Sequence, residues 1–117
     1  MTASCTTHLL PSGLIQANVT VKNTTSATAG ASVYGPALRQ VQYVHPVLQT
    51  VEVIVHVGKS AQSFPGWRLP ALAPDKEGRV IFRMRKPAQA LSILAAPGTS
   101  VKLDSANGLN NSDCTVG

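Results

Sequence analysis

The chain reads as an all-β domain, an antiparallel β-sandwich of about seven strands. Three observations carry this reading. Apolar residues come in short alternating runs rather than at helical spacing. Gly and Pro interrupt those runs at roughly ten-residue intervals, as in sandwiches and barrels. Val, Ser and Thr abound while charged residues make up only 13% of the chain, which excludes a long helix or a coiled coil.

The first expected strand is Leu14-Ile15-Gln16-Ala17-Asn18-Val19-Thr20-Val21-Lys22, with Ile15, Ala17, Val19 and Val21 on one face. It ends in the polar turn Asn23-Thr24-Thr25-Ser26. Val33-Tyr34 is a short strand inside a small-residue stretch. Gln40-Val41-Gln42-Tyr43-Val44 alternates and then meets Pro46, which marks an edge strand. Thr50-Val51-Glu52-Val53-Ile54-Val55-His56-Val57-Gly58 carries four valines at period two and is the expected central strand. Residues 59–70, with Phe64-Pro65-Gly66-Trp67, read as a connection. Asp75-Lys76-Glu77-Gly78 is a turn, and Arg79-Val80-Ile81-Phe82-Arg83-Met84-Arg85 the next strand, stopped by Pro87. Residues 88–95 fit either a strand or a short helix; Pro97-Gly98 is a turn and Ser100-Val101-Lys102-Leu103 a short strand. Asn107-Gly108 and Asn110-Asn111 are turn chemistry. Two such sheets would bury their valine and leucine faces against each other, and a partly closed barrel is the alternative.

Residues 1–117 make one domain of ordinary size. With 44% apolar residues the chain is too hydrophobic for an extended disordered tail, and no apolar run approaches the roughly 20 residues that span a bilayer.

Two stretches resemble bacterial immunoglobulin-like modules of the cell-adhesion-related type. One is Val19-x-Val21-x-Asn23-x-Thr25-x-Ala27, a strand ending in Asn before a turn. The other is Leu69-Pro70-Ala71-Leu72-Ala73-Pro74 followed by Val80-Ile81-Phe82, and a third hint is residues 104–111 with Asp104 and paired asparagines. The family usually has Gly after the proline, where this chain has Asp75. The resemblance covers about half the chain and transfers no functional residue. It implies an immunoglobulin-like fold and an extracytoplasmic, non-catalytic binding or spacer role.

Cys5 and Cys114 lie near the two ends. Their spacing matches neither a zinc site nor a C-x-x-C redox motif. A structural disulfide is the expectation; closing a loop of roughly 110 residues stabilises by about 4–5 kcal/mol in the chain-entropy model. It places the protein in an oxidising compartment: secreted, periplasmic or at the cell surface. Met1-Thr2-Ala3-Ser4 has no signal-peptide pattern, so export implies a segment already removed. Ala3-Ser4-Cys5 also fits the remnant of a lipoprotein cleavage site, in which Cys5 would carry lipid and leave Cys114 unpaired.

The formal net charge is +5, and Arg79, Arg83, Arg85 and Lys86 crowd into one strand and its end. The three arginines share a face, about 7 Å apart where they alternate. Such a stripe suits a polyanion or acidic glycan, and equally a solvated face that charge protects from aggregation. No aromatic stacking pattern accompanies it, which disfavours nucleic acid. Phe64 and Trp67 suit a ligand or partner contact, or a cap on the core. His8, His45 and His56 share no metal-ligand spacing, so no metal or cofactor is expected. Only five acidic residues are present, and no G-x-S-x-G, Walker or dinucleotide motif, so no enzyme is expected. Asn18-Val-Thr20, Asn23-Thr-Thr25 and Asn110-Asn-Ser112 match the glycosylation acceptor pattern.

The leading functional expectation is a surface or assembly module that contacts another protein through a strand edge, with residues 40–44 as the candidate edge. A carbohydrate- or polyanion-binding module using Trp67 and the arginines is the second. A viral, phage or pilus structural subunit is the third.

Overall fold

A computed structural model describes residues 1–86, 91–103 and 113–114, with the side chains of Ser92, Leu103, Asp113 and Cys114 left undescribed. The fold is a β-sandwich of nine strands in two sheets, joined by a small two-stranded ladder. The strands are β1 (Thr2–Leu9), β2 (Leu14–Lys22), β3 (Ala29–Tyr34), β4 (Val41–His45), β5 (Gln49–Val57), β6 (Ser60–Leu72), β7 (Glu77–Arg85), β8 (Leu91–Ser92), β9 (Leu94–Ala96), β10 (Ser100–Leu103) and β11 (Asp113–Cys114). One sheet has the order β1-β2-β7-β4, the other β10-β5-β6-β3-β9, and β11 pairs with β8. All pairings are antiparallel except β10 with β5.

The expected turns at Asn107-Gly108 and Asn110-Asn111, the stop at Pro87 and the Asp104 stretch lie outside the described residues.

Two strands differ from expectation. β1 was not visible because Thr2-Ala3-Ser4-Cys5-Thr6-Thr7-His8-Leu9 lacks an apolar stripe; it forms by pairing along its whole length with β2. Residues 59–70 are not a connection but most of β6, which runs through Pro65. The Pro65 carbonyl accepts the Gly35 N–H at 3.2 Å on the β3 side. N and C=O of one antiparallel residue point the same way, so the missing N–H of Pro65 also faces that side, where β3 has ended. The ladder to β5 therefore passes unbroken.

The main core lies between the sheets. Ile15, Ala17, Val19 and Val21 of β2 and Val80, Phe82 and Met84 of β7 meet Ala31, Val33, Trp67, Leu69 and Leu72 of the larger sheet. Trp67 and Phe82 pack as tilted rings with centroids 4.9 Å apart. Leu38, from the 3-10 turn Pro36–Gln40 that links β3 to β4, completes this core together with Leu91 and Ile93.

The valines of β5 do not join it. Register places Thr50 beside Trp67 and Val53 beside Phe64, so the valines point to the opposite face. There Val53, Val55, Tyr34, Leu94 and Ala96 form a second core, with Val51, Val57, Phe64 and Val101 packed on it. The sheet reaches this by curling. β9 and β10 occupy opposite edges yet are joined by residues 97–99 alone. That link spans at most about 14 Å, whereas the outer strands of a flat five-stranded sheet lie about 19 Å apart. The inner face closes on itself like a small barrel while the outer face carries the sandwich. Gly66 is required at this bend. A Cβ there would run into the Val33 carbonyl oxygen and lie 2.9 Å from Tyr34 Cβ.

One buried asparagine ties two corners between the sheets. Asn23 ends β2, and its Nδ2 donates to the carbonyls of Leu72 (2.7 Å) and Ala27 (3.0 Å). Its Oδ1 accepts from the Thr25 N–H (2.9 Å) and the Thr25 hydroxyl (2.6 Å). Its backbone N–H donates to the Lys76 carbonyl, and its carbonyl accepts from the Asp75 N–H. The side chain is fully used and out of water, so folded Asn23 offers no acceptor for glycosylation.

Candidate anion-binding face

Strict alternation along β7 splits its side chains between two environments. Val80, Phe82 and Met84 fill the sandwich core, so Arg79, Ile81, Arg83 and Arg85 stand on the outer face of the four-stranded sheet. Register aligns the neighbours in rows across the strands: Ser4–Thr20–Arg79, Thr6–Asn18–Ile81–His45, and His8–Gln16–Arg83–Tyr43.

The last row has a defined geometry. Arg83 Nε donates to Gln16 Oε1 at 3.0 Å, and the guanidinium carbon sits 4.5 Å from the centroid of the Tyr43 ring. Gln16 Nε2 in turn donates weakly to Asn18 Oδ1 at 3.4 Å. A cation over an aromatic face is held by the ring quadrupole, and the Nε bond fixes rotation about the stem. Arg83 is half-buried and pinned at two points, while its terminal amino groups make no hydrogen bond within the described residues. It presents a preformed fork of the shape that accepts two oxygens of one anion.

The surroundings are poor in negative charge. Of the carboxylate side chains among the described residues, Glu52 lies on the other sheet and Asp75 in the β6–β7 corner. Glu77 opens β7, about 20 Å along the strand from Arg83. Arg85 lies two residues beyond Arg83, and Lys86 follows as an exposed residue past the strand end. A shallow depression of about 310 Å³ opens beside Arg79, lined by Ser4, Thr6, Asn18, Thr20 and Ile81.

The other expected contact residues are not brought together. Trp67 is 8% exposed and packs on Phe82, whereas Phe64 lies on the opposite face of β6 with its ring 6.3 Å from that of Tyr34. The two rings form no common platform. An edge of Trp67 does contribute to a second depression of about 440 Å³, with Leu38, Thr50 and Gly66. Its rim holds the sole ion pair among the described residues, Arg39–Glu52 at 3.3 Å. Ser63 Oγ donates to the same carboxylate at 2.6 Å. That hydrogen bond, and then Arg39, hold Glu52 below the usual carboxylate range. The depression therefore carries no net charge.

Cys5 is disulfide-bonded and sits on the inward side of β1. The side chain of Cys114 lies outside the described residues, and β11, which carries its backbone, lies against β1. No group of three or more His, Cys, Asp or Glu among the described residues is placed to hold a metal ion. No described helix is long and apolar enough to cross a membrane.

Sequence reasoning found the arginine stripe but not Gln16 or Tyr43. Only the strand register, which pairs residues 67 and 40 positions apart with Arg83, shows that they fix it. Comparison of the chain with known protein families and with curated proteins finds no match.

Proposed function

We propose that this protein is a non-catalytic, extracytoplasmic binding module that receives an anionic partner on the outer face of its β1-β2-β7-β4 sheet. The observation that carries the reading is Arg83, held by Gln16 and Tyr43 with no hydrogen bond from its terminal nitrogens to the described residues. An arginine fixed before binding loses little rotamer entropy on contact, which favours recognition over mere solubility. Arg85 and Lys86 add charge nearby, and among the described side chains the face has no carboxylate at that end. The disulfide at Cys5 supports an oxidising compartment.

The test is retention on immobilised polyanions of several kinds: heparin, poly-glutamate and a single-stranded oligonucleotide. The expected result is elution from at least one of them only well above physiological salt, with the retention lost in the Arg83→Gln/Arg85→Gln variant. Elution from all of them at ordinary salt rejects the reading.

A second reading, protein contact or self-assembly at the β4 edge, draws on exposed apolar side chains there. Tyr43 is 42% and Val47 94% exposed, on β4 and in the connection after it. Size-exclusion chromatography at rising concentration checks it: a strictly monomeric protein rejects self-assembly through this edge.

A further inference from the structure

We infer that the anionic partner of the outer face is a linear sulfated polysaccharide, laid along β7 so that Arg83 and Arg85 each take one sulfate. The inference rests on reading that face as the binding surface, and it concerns what the surface selects.

Charge and hydrogen-bonding pattern point the same way. The free edge of Arg83 is a planar pair of donors that fits two oxygens of one sulfate. Arg85 stands about 7 Å further along the same face, so successive charged groups on an extended chain meet successive arginines. On the Arg79 side of Arg83 the neighbouring strands offer neutral side chains that both donate and accept: Thr6 on β1 and Asn18 on β2 in the Ile81 row, and Thr20 on β2 in the Arg79 row. Sugar hydroxyls need partners of that kind.

The same face is ill-suited to the other common polyanions. Single-stranded nucleic acid binds through basic residues combined with aromatic rings on which bases stack. The one exposed aromatic ring here, Tyr43, is already covered by the Arg83 guanidinium. An acidic peptide adding to this sheet would pair through an edge and meet the arginines side-on. On β4, beside Arg83, the edge is irregular, with a register shift between Val41 and Tyr43 and Pro46 just beyond.

The experiment titrates the full chain, disulfide intact, against a fluorescently labelled heparin-derived octasaccharide and follows anisotropy at several salt concentrations. Saturable binding that weakens with salt is expected. Arg83→Lys keeps the charge but removes the fork, and should weaken binding by about fivefold; Arg83→Gln/Arg85→Gln should weaken it by tenfold or more. Arg39→Gln, in the 3-10 turn and ion-paired to Glu52 of the other sheet, should stay within about twofold of the unaltered chain. Thermal melting of each variant verifies that it is folded, and the Lys variant keeps the test informative if the double variant unfolds.

Equal binding of a chemically desulfated octasaccharide overturns the inference. So does tighter binding of poly-glutamate or of an oligonucleotide of matched charge, although the anion-binding reading of the face then stands. Failure of every polyanion to bind overturns both.

Discussion

β2 and β5 are nearly indistinguishable as patterns, each with four small or branched apolar residues at every second position, yet they serve different cores. Ile15, Ala17, Val19 and Val21 of β2 face the other sheet, and the opposite face of β2 stays in contact with water. Val51, Val53, Val55 and Val57 of β5 face away from the other sheet, into the hollow of their own curled sheet. Period-two alternation says that one face of a strand is buried; it does not say against what. The four-stranded sheet has a spare face and can carry a binding surface. The five-stranded sheet uses both faces over part of its width and is committed to structure.

This contrast can be broken from either side by mutation. Phe82→Ala removes the ring that meets Trp67 between the sheets and should cost about 4 kcal/mol, measured by urea unfolding. Gly66→Ala places a methyl group against the Val33 carbonyl at the bend, and should cost about 3 kcal/mol by opening the curl. Val53→Ala should cost about 2 kcal/mol, because Val53 is fully buried in the second core. If Val53→Ala proves neutral, the curled sheet is not closed and the contrast fails.

A pH titration sharpens it further. Tyr34 lies in the second core, and burial raises its phenol above the ordinary tyrosine value. Above about pH 10 the unfolded chain gives up that proton while the folded chain keeps it. The stabilisation is therefore fully present at neutral pH and lost as pH rises through the folded-state value. Tyr34→Phe should lessen that alkaline loss. The smallest effect is expected at the β6–β7 corner, where Asp75 holds φ at 62°. Asp75→Gly relieves that left-handed backbone and should change stability by no more than about 0.5 kcal/mol, favourably. Its melting temperature should rise slightly.

The all-β class, the edge position of β4 and the stripe of Arg79, Arg83 and Arg85 were legible in the sequence, as was the pairing of β5 on both sides, although β6 and not β5 is the central strand of its sheet. Each follows from local pattern: alternation, a run of valines, or a proline after the strand. What was not legible depends on long-range pairing. β1 has no apolar stripe of its own and is a strand because β2 offers it a partner. β6 passes through a proline because β3 ends beside it. Arg83 becomes a fixed donor through Gln16 and Tyr43, which lie on other strands. Asn23 looks like an ordinary turn residue in sequence, and only the approach of the Leu72 carbonyl makes it a buried tie between corners. Phe64 and Trp67 looked like a pair because they are close in sequence, but a separation of three along a strand sends them to opposite faces.

Strands β3, β6 and β9 place side chains in both cores: Val33 and Tyr34 on β3, Trp67 and Phe64 on β6, and Ala95 and Leu94 on β9. Neither core can therefore dissolve while the other remains whole, because they share a wall. In hydrogen-exchange terms the amides of β3 and β6 should open only with the entire domain, whereas those of β4, at an edge, should open by local fluctuation. The slowest-exchanging part of the molecule then lies behind the binding face rather than in it, and strand β7 connects the two. Such a placement lets the outer surface change its residues in evolution without touching the element on which cooperativity depends.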